Sequence, residues 1–227
     1  MSEIIHGNCV NEIPKLGKFK LAFLDPGPVP EFELRIATLR AWDACEGVMA
    51  LVGDDEQVKM WLAMEKVADM TRVNWVHWMY DNGTNNPHGW IECRTHVLFY
   101  AREGYTRNPK DVQISTAKAT RKRATKNPGL RMPSKIWGLP QDGPHWGRVV
   151  GNCKERVGDL TNQLPLALCR RVIMYYTNPE DKVIEPYAGA APCGMVCKEE
   201  NRRCISIEKE GAIYKLATER LTNGVYR

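Results

Sequence analysis

Hydrophobic and polar positions along this chain change period from block to block, and the blocks predict alternating strands and helices. Leu21-Ala22-Phe23-Leu24 is an unbroken apolar run stopped by Asp25-Pro26-Gly27-Pro28, the pattern of a strand buried on both faces. Ile4-Ile5-His6, Val48–Val52, Val73–Trp78 and His96–Tyr100 read as further strands. Between them, Leu34, Ile36, Ala37, Leu39, Ala41, Trp42 and Cys45 fit a helix over Glu33–Cys45 ended by Gly47, and Glu56–Met70 is helical in pattern. From Tyr105 to Asp159, Pro109, Pro128, Pro133, Pro140 and Pro144 interrupt every period. Regularity returns with a helix Leu164–Tyr176, a strand Lys182–Ile184, a glycine-containing turn, a helix to about Glu200, a strand Cys204–Ile207 and a last helix Ala212–Leu221. This succession predicts an α/β fold with an open, mostly parallel sheet covered on both faces. The expectation is a single domain over 1–227 carrying an irregular insertion at 106–159.

Composition sharpens that picture. With 227 residues, 43% of them apolar and 26% charged, the chain can bury a sizeable core, and wholesale disorder is excluded. No apolar run reaches the roughly 18–20 residues of a membrane span, and MSEIIHGNCV lacks the layout of a secretory signal, so a cytoplasmic location without membrane attachment is expected. The eight cysteines show neither CxxC nor zinc-finger spacing, and no histidine neighbours Cys193, Cys197 and Cys204; free thiols and no metal are expected. The net charge of +5 is unevenly placed: Arg107–Arg156 holds 12 Lys and Arg against 3 acids, while the remainder is net acidic. One strongly basic segment is the footprint expected for a polyanion; a solvated loop without a partner has the same composition.

The most specific local signal is Val183-Ile184-Glu185-Pro186-Tyr187-Ala188-Gly189-Ala190-Ala191-Pro192-Cys193-Gly194, followed by a helix and then Cys204-Ile205-Ser206-Ile207-Glu208. Small residues after a strand let a ligand approach the backbone at a helix N-terminus, where free N–H groups favour an anion. Glu208 lies 19 positions after Gly189, where an acid at the end of the next strand can accept ribose hydroxyls. On its own this pattern points to a nucleoside-containing cofactor, or to a turn that merely packs helix on strand.

Taken together, these segments resemble the DNA amino-methyltransferases, which carry methyl from S-adenosylmethionine to adenine N6 or cytosine N4. Glu185-Pro186-Tyr187-Ala188-Gly189 is similar to the family's DPFxG cofactor turn, and Asn162-Gln163-Leu164-Pro165-Leu166 with Arg170-Arg171-Val172-Ile173 to the TQKPLxLxxRxI segment that precedes it. Ile4-Ile5-His6-Gly7-Asn8-Cys9 looks like IxxGDC, Leu24-Asp25-Pro26-Gly27-Pro28 stands in the place of the catalytic DPPY, and His96–Arg102 is similar to HExxLxFxK. The catalytic strand comes first and the cofactor turn last, the order of the permuted β class.

The resemblance implies a Rossmann-like methyltransferase fold, S-adenosylmethionine as cofactor and DNA as partner, with a homodimer or a partner subunit left open. Residue by residue, it puts Glu185, Tyr187 and Gly189 at the methionine end of the cofactor, Glu208 on the ribose, Asn8 near the adenine, and Asn162 and Gln163 at the pocket's closure. Asp25, Pro26, Gly27 and Pro28 form the catalytic motif, and adenine N6 is favoured over cytosine N4 because the motif begins with Asp. The target-recognition region falls on the basic segment, with Arg121, Lys122, Arg123 and Lys126 as phosphate contacts; Trp137 and Trp146 are base-stacking candidates, and docking of the loop on the core is the alternative role for each. The chain departs from the pattern at Gly27 and Pro28, where the second proline and the base-clamping aromatic are absent; Trp42, Phe32 and Trp90 are candidates to replace that face. Ala191 stands where glycine is usual. Methyl transfer to RNA, or a non-catalytic DNA-binding partner of the same fold, has the same sequence features.

Overall fold

The computed structural model describes residues 2–84, 87–115, 129–151 and 153–224. In chain order its elements are β1 (Glu3–His6), α1 (Cys9–Glu12), β2 (Phe19–Leu24), α2 (Glu31–Ala44), β3 (Cys45–Gly53), α3 (Asp55–Met64), β4 (Arg72–Thr84), β5 (Glu92–Ala101), β6 (Ile114–Ser115), β7 (Leu130–Arg131), β8 (Ile136–Trp137), α4 (Leu166–Tyr176), β9 (Lys182–Glu185), α5 (Pro192–Glu199), β10 (Arg203–Glu208) and α6 (Gly211–Asn223). Eight strands share one sheet in the order β1-β10-β9-β2-β3-β5-β4-β8, and β6 and β7 pair separately. From β1 to β3 every pairing is parallel; β5 runs antiparallel to both β3 and β4.

The expectation for Leu21–Leu24 holds in detail. Leu21 and Phe23 point into the layer shared with α4, α5 and α6, whereas Ala22 and Leu24 point into the layer under α2 and α3. A strand at the centre of a doubly covered sheet must be apolar on both faces, which is why its sequence does not alternate. β2 leads through α2 to β3 on one side, while β9 leads through α5 to β10 on the other. The chain therefore leaves adjacent strands in opposite directions, and a crevice opens outside their carboxyl ends.

Several boundaries differ from the sequence reading: the strands expected over Val73–Trp78 and His96–Tyr100 extend to Thr84 and back to Glu92, and two helix ends move. Gly47 does not end a helix: α2 passes straight into β3 at Cys45, and a Cβ on Gly47 would sit 2.2 Å from the Lys20 carbonyl oxygen. Glycine there lets β2 and β3 approach. The helix predicted to Met70 stops at Met64, and Met70 fills the core from the turn that follows.

The described part of the basic segment packs against the sheet edge. β8 pairs parallel with β4, and Arg171 of α4 reaches Asp142 at 2.7 Å in a nearly solvent-free ion pair. The same guanidinium lies 4.0 Å from the Trp146 ring and 5.3 Å from that of Trp137. Among the described residues no helix is long and apolar enough to cross a membrane.

Candidate active site

At the crevice lies a cavity of about 740 Å³, walled by the carboxyl ends of β1, β2, β3, β9 and β10 and by the segment Leu160–Leu164. It brings together Asn8, Asp25–Pro28, Asn162, Gln163, Glu185, Tyr187, Gly189 and Glu208, which come from five separate stretches of sequence. A volume of this size suits a cofactor-sized ligand.

At one end β2 stops and Asp25 enters the wall. Burial pushes its carboxyl up to about 7, with the Arg148 guanidinium pulling the other way. Gly27 has a φ of +58, in the left-handed region, and nothing stands within 4 Å of where its Cβ would be. Proline, held near −65°, cannot take that conformation. The Gly27 carbonyl accepts a bond from Gln57 Nε2 at 2.7 Å. Gln57 is in turn fixed by a reciprocal capping box at the start of α3, in which its N–H donates to Asp54 Oδ1 (2.9 Å) and its Oε1 accepts from the Asp54 N–H (3.1 Å). The DPGP loop is thus tied to α3 through one side chain.

Arg148 closes this end from the insertion. Its guanidinium donates to Tyr80 Oη (2.9 Å), Thr95 Oγ1 (3.3 Å) and Asn162 Oδ1 (3.0 Å), and it packs 4.3 Å from the Tyr80 ring. The sequence reading passed over Arg148, Gln57 and Glu33. Only Gln57 left a local trace, the spacing Asp54-x-x-Gln57.

At the other end, Glu208 finishes β10 with each carboxylate oxygen accepting one backbone N–H, from Gly189 at 2.9 Å and from Glu210 at 2.8 Å. A carboxylate offers about four acceptor sites, so both oxygens keep capacity for hydroxyl donors. Asn8 caps α1 by accepting from the Val10 N–H (2.8 Å) and donates to Glu33 Oε1 at 3.0 Å. Where the family pattern has an acid just after β1, this site holds an amide at the start of α1 and the acid on α2. Tyr187 Oη is buried, with the Cys9 thiol as its neighbour. Gly189, at φ +50, leaves the turn beside it open.

The helix N-terminus expected to receive an anion is already filled. Glu185, 2% exposed, accepts from the N–H groups of Cys193 (2.8 Å) and Gly194 (3.2 Å) and from Ser206 Oγ (2.7 Å). Burial still raises its carboxyl to about 7. Glu185 organises the turn as an internal cap. Gln163 is likewise engaged locally: Oε1 accepts from the Val157 N–H and Nε2 donates to the Glu155 carbonyl. Ala191 takes the left-handed conformation, φ +51, that glycine would adopt without strain.

Other expectations are corrected. Trp137 and Trp146 are 7% and 6% exposed, with their indole N–H groups on the Ser134 and Asp142 carbonyls; they dock the insertion and offer no free ring to a base. Trp42 is buried against Arg102, far from use as a clamp. Phe32 and Trp90 are 75% and 97% exposed but do not line the cavity. Arg121, Lys122, Arg123 and Lys126 lie outside the described residues. No group of three His, Cys, Asp or Glu among the described residues is arranged to hold a metal ion.

Comparison with known proteins agrees with this fold. The chain is 26% identical over 152 residues to the type II methyltransferase M.HpaI of Haemophilus parainfluenzae, covering 65% of this chain and 44% of that protein. It spans less than half the length of this curated relative. Its fold superposes on that of the M1.HpyAVI complex with S-adenosylmethionine, with a TM-score of 0.66 at 20% identity, over 97% of this chain and 100% of that one. The PvuII cytosine-N4-specific DNA methyltransferase gives a TM-score of 0.71 at 13% identity, over 96% and 86% of the two chains. Residues 31–219 match the sequence profile of the N6 and N4 DNA methylases, and the chain belongs to that DNA methylase family.

Proposed function

We propose that this protein transfers a methyl group from S-adenosylmethionine to an exocyclic amino group of a DNA base, adenine N6 in preference to cytosine N4. The observation that carries the reading is one cavity with Asp25 at one end and Glu208 at the other, bridged by the Tyr187–Ala190 turn. The site fits the cofactor: Glu208 has spare acceptor capacity for ribose hydroxyls, the Tyr187 ring and its buried hydroxyl line the cavity, and Gly189 leaves room at the turn.

When bound, S-adenosylmethionine supplies an electrophilic methyl on sulfur; the chain has to supply position. An exocyclic amine is conjugated into its ring and is a weak nucleophile. Asp25 Oδ accepts an N–H of that amine, concentrating electron density on nitrogen as it leaves the ring plane. The Pro26 carbonyl is the second acceptor on this loop, since that of Gly27 is held by Gln57. Gln57 and Arg148 fix the loop and the opposite wall, so the geometry is set before the base arrives. Asn8, Glu33 and Glu208 hold the nucleoside end, while Asn162 and Gln163 close the wall above it.

Calorimetric titration with S-adenosylmethionine tests the cofactor half of this reading. Micromolar binding that weakens by tenfold or more in Glu208→Ala is expected; unaltered binding in that variant would remove Glu208 from the site. The methylated nucleoside, identified by mass after digestion, decides between N6-methyladenine and N4-methylcytosine.

A further inference from the structure

We infer that the arm formed by β4 and β5 is a DNA-opening element, with Trp90 at its end inserted into the stack of duplex DNA beside the target base. The inference rests on the reading of the protein as a DNA methyltransferase.

β5 leaves the sheet on the side where the cavity opens. Its His96 is level with Gly53, the last residue of β3, and β4 runs beside it as far as the pairing of Thr84 with Glu92. Trp90 lies six residues beyond His96, which at about 3.3 Å per residue reaches up to roughly 20 Å past the carboxyl edge of the sheet. The base of the arm is the cavity wall itself, because Trp78 of β4 and Thr95 of β5 both line the pocket that holds Asp25. DNA that delivers a base to Asp25 must come from this face, and the arm stands next to its entry.

The arm's end is built for bases and not for phosphates. Trp90 is 97% exposed and Ile91 53%, and Glu92 follows; an indole kept in water at that level has no packing role among the described residues. Phosphate attraction has a separate source on the same edge. β8, which belongs to the basic segment, pairs with β4 at His77 and Trp78, and of that segment's cations Lys135 lies beside β4 while Arg148 donates to Tyr80 and Thr95 at the base of the arm. A base inside a duplex cannot reach a pocket behind the sheet edge without leaving its stack, and an apolar side chain wedged at the vacated step lowers the cost.

The test compares wild-type protein with Trp90→Ala and Trp90→Phe. Binding to a fluorescent duplex of mixed sequence is followed by anisotropy across a salt series, together with labelled methyl transfer to unmethylated genomic DNA. The expected result is that Trp90→Ala weakens duplex binding about tenfold and slows transfer at least as much. Trp90→Phe should restore most of both, and the slope of log affinity against log salt should be unchanged because no phosphate contact is lost. S-adenosylmethionine binding should stay within twofold in both variants. Wild-type affinity and transfer in Trp90→Ala would overturn the inference while leaving the methyltransferase reading in place. A fall in oligomeric state in Trp90→Ala, seen by light scattering, would overturn it in favour of a self-association surface. Wild-type protein that neither binds duplex nor transfers methyl would remove the underlying reading as well.

Discussion

Gln57 Nε2 donates to the carbonyl oxygen of Gly27 at 2.7 Å, so the residue that departs from the family's catalytic pattern is held by the first turn of α3. With Gly27 at φ +58, the DPGP loop follows a path that a DPPY loop cannot. The motif is therefore adapted to its surroundings, and returning it to the family pattern is expected to damage it. Gly27→Pro, alone or with Pro28→Tyr, should cost on the order of 1–3 kcal/mol through the forced conformation and lower methyl transfer at least tenfold. Denaturant unfolding and initial rates check this; a gain of activity in the double variant would show instead that DPGP is a degraded site.

Asp25 and Glu185 make stability depend on pH in a defined direction. Both carboxyls are raised by burial to about 7, whereas unfolded carboxyls titrate near ~4. The folded state thus binds these protons more tightly than the unfolded state. The associated stability is fully present below about pH 4 and is lost as pH rises through about 7. Asp25→Asn removes one of the two groups. Between pH 5 and pH 8 the wild-type protein is expected to lose on the order of 2 kcal/mol more than Asp25→Asn in urea unfolding; parallel losses in the two proteins would contradict the burial of Asp25.

Arg148 opposes the rise of the Asp25 carboxyl, and in the proposed reaction the ionised carboxylate is the stronger acceptor for the amine's N–H. Arg148→Gln is therefore expected to move the acidic limb of the kcat profile to higher pH. Arg148→Lys keeps the charge and should leave that limb near its wild-type position, although losing the fork that grips Tyr80 and Asn162 should raise KM for DNA. The check is a pH–rate series on all three proteins; coincident limbs would mean that Arg148 acts only as a latch.

In the proposed function, Asn8 and Glu33 divide between them a role that the family pattern gives to one acid just after β1. Asn8→Asp would place a second carboxylate about 3.0 Å from Glu33 Oε1. Like charges that close should weaken S-adenosylmethionine binding by roughly tenfold, and Glu33→Gln in the same protein should recover most of it. Titration calorimetry on the single and double variants measures the coupling; strictly additive effects would sever the pair.

Much of this fold was legible in the sequence because burial on both faces leaves an unmistakable signature, as in Leu21–Leu24 and Val48–Val52. The turn Glu185–Gly189 and the acid Glu208 were legible because they are local to consecutive strands. Glu185 itself misleads: in sequence it is one more acid near a ligand turn, and only folding shows its carboxylate spent on α5. Arg148 was illegible for the opposite reason. It is one basic residue among twelve, and nothing nearby in sequence marks it as the one that turns inward onto Tyr80, Thr95 and Asn162. Trp137 and Trp146 sit in a basic segment and so suggested base contact, yet an insertion must also attach to its domain. The ion pair of Asp142 with Arg171, 29 positions apart, supplies that attachment. Breaking it with Arg171→Met should cost about 3–5 kcal/mol and expose the insertion to limited proteolysis, whereas an equally resistant variant would place the docking energy elsewhere.

The most direct test of the account is transfer of labelled methyl from S-adenosylmethionine to unmethylated genomic DNA, with Asp25→Ala as the comparison. The account expects label in DNA, recovered as N6-methyladenine, and a loss of at least a hundredfold in the variant with S-adenosylmethionine binding intact. Absence of transfer by a wild-type protein that binds both cofactor and DNA would contradict it and identify a non-catalytic member of the family.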